Sequence, residues 1–439
     1  MLFSMFLVYS LLFTIGVLLT APYYLWRHRG RGRSRAYWRE RLGILSGDFQ
    51  QPAASEVAGT VWVHAVSVGE TLAVAELVRQ FQSQHPERKI FISHITPAGR
   101  ETGEVHLPKV AGRFYLPLDW RVCVKRTLRQ LQPALLLVAE TELWPNLLRA
   151  AHEFGCRIVL VNARLSDGSF RGYRLIPPFM RRVLQNIDYI FARTPTDAER
   201  FRQLGAPFER VFVAGNLKFD VTPPLSGQLP GRLQRALEEA QRGPVLVAAS
   251  TMPREEPLVL QAWQDIRERY PRALLILAPR HPVRFEHVAQ LLSDQKRSFV
   301  RRTALETGGE ELVSQLATPE ILLLNTIGEL AGLFQLADVV FIGGSLVPTG
   351  GHNLLEPAFW SKPVVFGPHM HNFRDAAERF VRGGAAVQIE SVERLAAECS
   401  RLFGDAPGRA DLGRRAKQVL QEESGATRRI LERLGDFGF

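Results

Sequence analysis

Carboxylates follow apolar, β-branched runs at two places early in the chain: Glu70 in "SVGE" after "TVWVHAV", and Glu140 and Glu142 in "LLLVAETELWPN". A carboxylate at the end of a buried strand either caps the next helix, where its charge meets the helix dipole, or takes a proton from a substrate. For Glu70 the spacing alone leaves both roles open. Cations occupy similar positions, Arg164 in "NARLS" and Lys218 in "GNLKFD". Further on, strand ends carry "APRHP" (278–282), "NTIGEL" (325–330), "GGSLVPTGGHNLLEPA" (343–358) and "GPHMHNF" (367–373). Glycines at a strand-to-helix turn let backbone N–H groups approach an oxyanion, and helix N-termini attract phosphate. Arg280 adds a fixed positive charge, and Glu356 can accept hydrogen bonds from ribose hydroxyls. As a set these motifs read as a nucleotide site. There is no GxxxxGK[ST] loop and no GxGxxG spacing, so neither ATP hydrolysis nor dinucleotide binding is supported. His281, His352, His369 and His371 lack HExxH or HxxxH spacing and read as loop donors rather than metal ligands.

The elements that must position these residues are legible from periodicity. Short apolar runs ("TVWVHAV", "KIFISHI", "RFYLPL", "ALLLVAE", "RIVLVNA", "YIFART", "VFVAG") alternate with helical patterns. Several runs are continuous, as expected for parallel strands buried on both faces. Val74, Leu77, Val78 and Phe81 keep helical spacing between the first two. We read residues 45–220 as one doubly wound α/β domain and 221–232, largely "DVTPPLSGQLPG", as the linker. A second α/β domain, 233–439, contains "PVLVAAS", "ALLILAP", "EILLLN", "VVFIGG" and "PVVFG" and ends in a helix near 411–434. The two Rossmann-like domains are expected to face each other across a cleft.

Composition narrows the function classes. At 439 residues, 46% hydrophobic and 23% charged, the chain suits a globular α/β protein of about two domains. The net charge of +11 favours anionic partners without choosing among them. Cys123, Cys156 and Cys399 are distant and odd in number, which fits neither a disulfide framework nor a zinc site. Residues 1–26 carry no charged side chain, and seven arginines follow between Arg27 and Arg41. That order is the reverse of a signal peptide and predicts an uncleaved membrane anchor (1–26), with a basic juxtamembrane segment (27–44) on the cytoplasmic side against anionic lipid.

"SVGE", "AETELWPN", "NARLS", "GNLKFD", "APRHP", "IGEL", "GGSLVPTGGHNLLEPA" and "GPHMHNF", in this order behind an apolar N-terminus, closely resemble the 3-deoxy-D-manno-octulosonic acid (Kdo) transferases from about residue 60 to 375. The resemblance implies a GT-B glycosyltransferase fold and transfer of Kdo from CMP-Kdo to the lipid A precursor (lipid IVA). It also implies inversion at the anomeric centre, no metal or other cofactor, and a place at the bacterial inner membrane. Carried over by motif, Glu70 is the general base, and Glu140 and Lys218 stabilise the transition state. Pro279, Arg280, Ile327, Gly328, Glu329, Asn353, Leu354, Leu355 and Glu356 hold CMP. The chain departs from the family pattern at Gly168, where an arginine is expected, and in "MPREE" (252–256) after "AST". Alternatives are a GT-B transferase using a nucleotide diphosphate sugar and a membrane-tethered nucleotide-binding protein that is not an enzyme. A nucleic-acid partner rests on charge alone and is not expected.

Overall fold

The computed structural model describes residues 2–27, 35–45, 59–220, 228–306 and 308–439. Part of the arginine cluster, 28–34, and most of the expected linker, 221–227, lie outside them. The chain divides into two compact units, Met1–Asp220 with Ser424–Phe439, and Val221–Glu423.

The first unit is built on strands β1 (Thr60–His64), β2 (Ile90–His94), β3 (Gly112–Tyr115), β4 (Pro133–Ala139), β5 (Arg157–Ala163), β6 (Tyr189–Ala192) and β7 (Val211–Val213). They form one seven-stranded sheet in the order β3-β2-β1-β4-β5-β6-β7, every pair parallel. Its two faces bury alternate residues: Trp62, Leu136 and Leu160 on one, and Val61, Val63, Leu135, Leu137, Val159 and Val161 on the other. This period of two under continuous apolar runs is what helices on both faces require.

The second unit carries β8 (Val245–Thr251), β9 (Leu274–Pro279), β10 (Phe299–Arg301), β11 (Ile321–Leu323), β12 (Val339–Ile342), β13 (Val364–Phe366) and β14 (Val387–Gln388). The sheet is again parallel and seven-stranded, ordered β10-β11-β9-β8-β12-β13-β14. Both sheets reverse strand order beside their first strand, between β1 and β4 and between β8 and β12. Such a switch point opens a crevice outside the carboxyl ends of the strands, where ligands of doubly wound sheets bind.

Three expectations are corrected. The terminal helix is two helices, Ala406–Glu423 and Ala426–Leu434, parted at Gly425, whose φ of +94° suits glycine. The second of them belongs to the first unit: Asp220 accepts the Gly425 and Thr427 N–H groups, at 2.6 and 2.5 Å, and Ala426, Ile430 and Leu434 join the Val61–Val63 core. Residues 229–232 of the expected linker open the helix Leu229–Glu239, with Pro230 in the first turn, where its missing N–H costs nothing.

The third correction concerns the anchor. Leu2–Arg27 is a helix, but among the described residues no helix is long and apolar enough to cross a membrane. One face of this helix is fastened to the first unit. Tyr9 Oη donates to Asp119 Oδ2 at 2.8 Å, Asn146 Nδ2 donates to Ser10 Oγ at 3.0 Å, and Trp120 Nε1 donates to Thr14 Oγ1 at 2.9 Å. Phe6 packs edge-on against Phe179, and Phe13 against Trp120 and Trp144. The opposite face leaves Leu7, Val8, Leu11, Leu12, Ile15, Leu18 and Leu19 exposed. Polar side chains spaced along the docked face thus hold the helix on the first unit. The basic segment is also partly structural: Arg35–Arg41 is helical, and its buried Glu40 accepts from Arg100 Nη1 and from the Tyr115 N–H.

Candidate active site

In the first unit, the switch point gathers the carboxylates. Glu70 follows β1 in the first turn of helix Val68–Gln84, capped by Ser67. The Glu70 carboxylate accepts the Val66 N–H at 2.8 Å and the Ser67 hydroxyl at 3.0 Å, and Ser67 Oγ in turn receives the Glu70 N–H. This reciprocal capping box settles one half of the sequence question: Glu70 does cap the helix. Burial, with smaller pushes from Glu140 and Glu142, nonetheless raises its pKa to about 7 against the hydrogen bonds that lower it. A carboxyl that exchanges its proton near neutrality is equipped for general base work.

Glu140 directly follows β4 at φ +53°, a left-handed conformation uncommon outside glycine, and its N–H bonds the Val161 carbonyl at 2.9 Å. Strain of this kind at a strand end marks a position that the fold over-determines. Lys218 lies in a short turn set by two asparagines: Asn162 Oδ1, on β5, accepts the Leu217 N–H, and Asn216 Oδ1 accepts the Lys218 N–H, both at 3.1 Å. Its Nζ stands 3.9 Å from where a Cβ on Gly69 would be, so Lys218 and the "SVGE" turn share one place. Arg164 is exposed, while the loop behind it is fixed by Asp197, which accepts the Leu165 N–H at 2.8 Å. Beside Gly168, the position lacking the expected arginine, Arg200 from helix Pro195–Gln203 pairs with Asp167.

In the second unit, Pro279 ends β9 and Arg280 follows it, Ile327–Glu329 follow β11, and 343–356 follow β12, all at one sheet edge. The Arg280 N–H bonds Thr251 O at 3.0 Å. Asn353 donates from Nδ2 to Glu356 Oε1 and accepts the Leu355 N–H at Oδ1, both at 3.0 Å, while Leu354 and Leu355 are buried beneath. Burial raises the Glu356 carboxyl, opposed by Asn353 and the nearby Arg280 guanidinium. Burial, with Arg280 and His281 close by, lowers His352 to about 4, so this imidazole is neutral at physiological pH. Gly350 and Gly351 have φ of +102° and +69°, and a side chain on either would strike Asn372 or Met370, so the loop turns here only as glycine. Ile327 is 73% exposed, and the Glu329 carboxylate is taken by Arg302 Nη2 at 3.1 Å and by Thr326.

Sequence reasoning missed the residue that ties these loops together. Glu255, fully buried after β8, accepts the N–H groups of Met252, Gly344, Ser345 and Leu346. Ser345 Oγ accepts the Gly367 N–H at 2.8 Å, joining the loops after β12 and β13. The only signal was "MPREE" itself, two acids where helix Glu256–Arg269 starts. His64, Ser93 and Asp119 were missed for the same reason: each lies inside a strand or loop with no chemical motif around it.

Among known proteins, the family model described as "3-Deoxy-D-manno-octulosonic-acid transferase (kdotransferase)" matches residues 36–221. The chain is 33% identical over 400 residues to the 3-deoxy-D-manno-octulosonic acid transferase of Haemophilus influenzae, covering 90% of this chain and 91% of that one. It is 34% identical over 422 residues to the enzyme of the same name from Bordetella pertussis, covering 94% and 96%. A solved UDP-N-acetylglucosamine 2-epimerase superposes with a TM-score of 0.53 at 15% identity, over 86% of this chain and 95% of that one, a likeness of fold alone. Near-complete coverage at this identity, with carboxylates at one switch point and a glycine-rich loop at the other, places the chain in the Kdo transferase family, as a glycosyltransferase that transfers 3-deoxy-D-manno-octulosonic acid.

Proposed function

We propose that the enzyme transfers Kdo from CMP-Kdo to the lipid A precursor by direct, inverting displacement, without a metal ion, at the cytoplasmic face of the bacterial inner membrane. The observation that carries this reading is the Glu70 carboxyl, held at the β1/β4 switch point with a pKa of about 7. The acceptor hydroxyl attacks the anomeric carbon as the bond to the CMP phosphate breaks. Glu70 takes the hydroxyl proton, and CMP leaves with the bonding pair. Lys218 and Glu140 meet the charges that develop, and fixed donors in the second unit receive the phosphate. There, Arg280 supplies the positive charge and Glu356, oriented by Asn353, accepts from the ribose. Ile327–Glu329 contribute backbone groups, since the Glu329 side chain is already occupied. Arg280→Ala is expected to weaken CMP binding roughly 10–100-fold, the usual worth of a charge-assisted contact, with the thermal midpoint unchanged. Calorimetric titration with CMP checks it.

The reaction is tested by following CMP release from CMP-Kdo, generated in situ, with a tetraacylated, bisphosphorylated lipid A precursor as acceptor. Acceptor-dependent release that persists with chelator is the expected result. Release only with a UDP- or ADP-sugar donor overturns the reading, and loss of release on chelation overturns its metal-free part.

The docked N-terminal helix supports a monotopic arrangement. Its exposed leucines enter the interface, in the manner of a helix lying in the membrane plane. Leu11→Glu with Leu18→Glu, at side chains 62% and 65% exposed, should cut partition onto anionic phospholipid vesicles at least tenfold, because each buried leucine is worth about 1.5–3 kcal/mol. Partition by sedimentation that stays at the wild-type level refutes it.

A further inference from the structure

Glu142, two residues beyond Glu140, has no part in the roles assigned above, yet a buried chain of polar groups ends 3.8 Å from its carboxylate. Trp62 and His64 on β1 and Ser93 on β2 lie inside the first sheet, and none is exposed. Trp62 Nε1–H donates to Ser93 Oγ at 2.8 Å, and Ser93 O is taken by the Ala65 N–H at 3.0 Å. His64 Nδ1 lies 2.9 Å from Ser93 Oγ and 3.2 Å from Ser93 O. Indole N–H can only donate, so the Ser93 hydroxyl keeps its own proton for another acceptor, and His64 Nδ1 is the one at hand. The imidazole proton then sits on Nε2. That atom is buried with no hydrogen-bond partner and lies 3.8 Å from Glu142 Oε2. The opposite tautomer would aim a bare lone pair at a carboxylate. The same Oε2 receives the Trp144 Nε1–H at 2.8 Å, and Phe13 of the N-terminal helix braces the Trp144 ring.

We propose that Glu142 is a positioning residue for the base: the chain Trp62–Ser93–His64 aims an Nε2–H at its carboxylate and, with Trp144, fixes that negative charge beside Glu70. The assignment rests on the role proposed for Glu70. Glu142 does not touch the reacting atoms; it sets the field in which Glu70 holds and gives up its proton. The other groups facing this pair are Glu140, Lys218 beside Gly69, Tyr173, whose phenol burial and then Glu142 raise, and His94, which burial keeps neutral. His64 Nε2 has no hydrogen-bond partner and faces Glu142 Oε2, so the His64 tautomer acts on Glu142.

The test is a double-mutant cycle of Ser93→Ala and Glu142→Gln, reading kcat/KM against pH, with melting curves to establish folding. Glu142→Gln should move the acid limb of kcat/KM down by about 0.5–1 unit, the effect of removing one unit charge at several ångströms through partly wet protein. Ser93→Ala, which leaves His64 Nδ1 facing only a carbonyl and so flips the tautomer, should lower kcat about tenfold without changing CMP affinity. That loss should vanish in the Glu142→Gln background, whereas purely structural damage would persist there. Nitrogen-15 shifts of the His64 ring give a readout free of turnover: the Nε2–H form in the wild type and the Nδ1–H form in Ser93→Ala. An unmoved acid limb in Glu142→Gln, additive losses in the double variant, or an Nδ1–H tautomer in the wild type each overturns the proposal. A wild type that does not release CMP from CMP-Kdo, while its His64 tautomer is as expected, instead overturns the donor assignment.

Discussion

Glu70→Gln is expected to lower acceptor-dependent CMP release about 10³-fold while leaving CMP binding intact and raising the thermal midpoint above pH 7. Removing a general base costs typically 10²–10⁴ in rate. The nucleotide motifs lie in the other unit, on a sheet that shares no strand with Glu70, so affinity for CMP should stay within about twofold of wild type. The gain in stability follows from the raised pKa. Between the ordinary carboxyl value of 4.5 and about 7, the folded protein binds a proton that the unfolded chain releases. Stability attributable to this group is therefore fully present at low pH and is lost as pH climbs through 7. Glutamine cannot ionise, keeps its oxygen for the Val66 N–H and can turn its NH₂ to Ser67 Oγ as donor, so above pH 7 the variant escapes the cost of a buried charge, on the order of 1–3 kcal/mol. Below about pH 5 the two proteins should melt together. Wild-type kcat/KM should in turn rise with pH to a plateau through an inflection near 7. A flat wild-type profile between pH 5 and 9, or a variant that turns over within tenfold of wild type, would remove Glu70 from the role of base and leave it the cap that its hydrogen bonds already make it.

How far the sequence carried can be judged from single residues. Parallel strands buried on both faces announce themselves as continuous apolar runs, and the twelve runs singled out from periodicity all lie on strands. β10 and β14 were passed over because Phe299–Arg301 and Val387–Gln388 are short, partly exposed edge strands with no such run. The amphipathic pattern of Ala426–Leu434 fixed it as a helix but held no information on which core it joins. That choice depends on Asp220, some two hundred positions earlier, offering its carboxylate to the helix N-terminus. The first 26 residues carry the same limitation. Their uniform apolarity hides Tyr9, Ser10 and Thr14, which matter only because Asp119, Asn146 and Trp120 stand opposite. Motifs were legible where chemistry needs particular residue types at short spacing. Positioning residues were not, because their partners lie on other strands.

Glu255→Gln provides the second large effect, and it separates positioning from binding. Burial pushes this carboxyl above the ordinary range in spite of four N–H donors, so the charge is held at a cost in stability. What it obtains is shape. Met252 from the loop after β8 and Gly344, Ser345 and Leu346 from the loop after β12 are pinned to one group at the β8/β12 switch point, and Ser345 passes the constraint to Gly367 after β13. Glutamine has the same outline but turns an NH₂ toward backbone donors, leaving one or two buried N–H groups without an acceptor, at about 1–3 kcal/mol each. The expected result is a calorimetric melting point lower by roughly 5–10 °C. CMP affinity should fall by at least about 100-fold, since loops that must meet a phosphate within a few tenths of an ångström can no longer be held there. Arg280→Ala should weaken the nucleotide without moving the melting point, whereas Glu255→Gln should move both. If Glu255→Gln binds CMP within threefold of the wild type, the loops after β12 and β13 keep their form without it, and the buried carboxylate is a matter of stability alone.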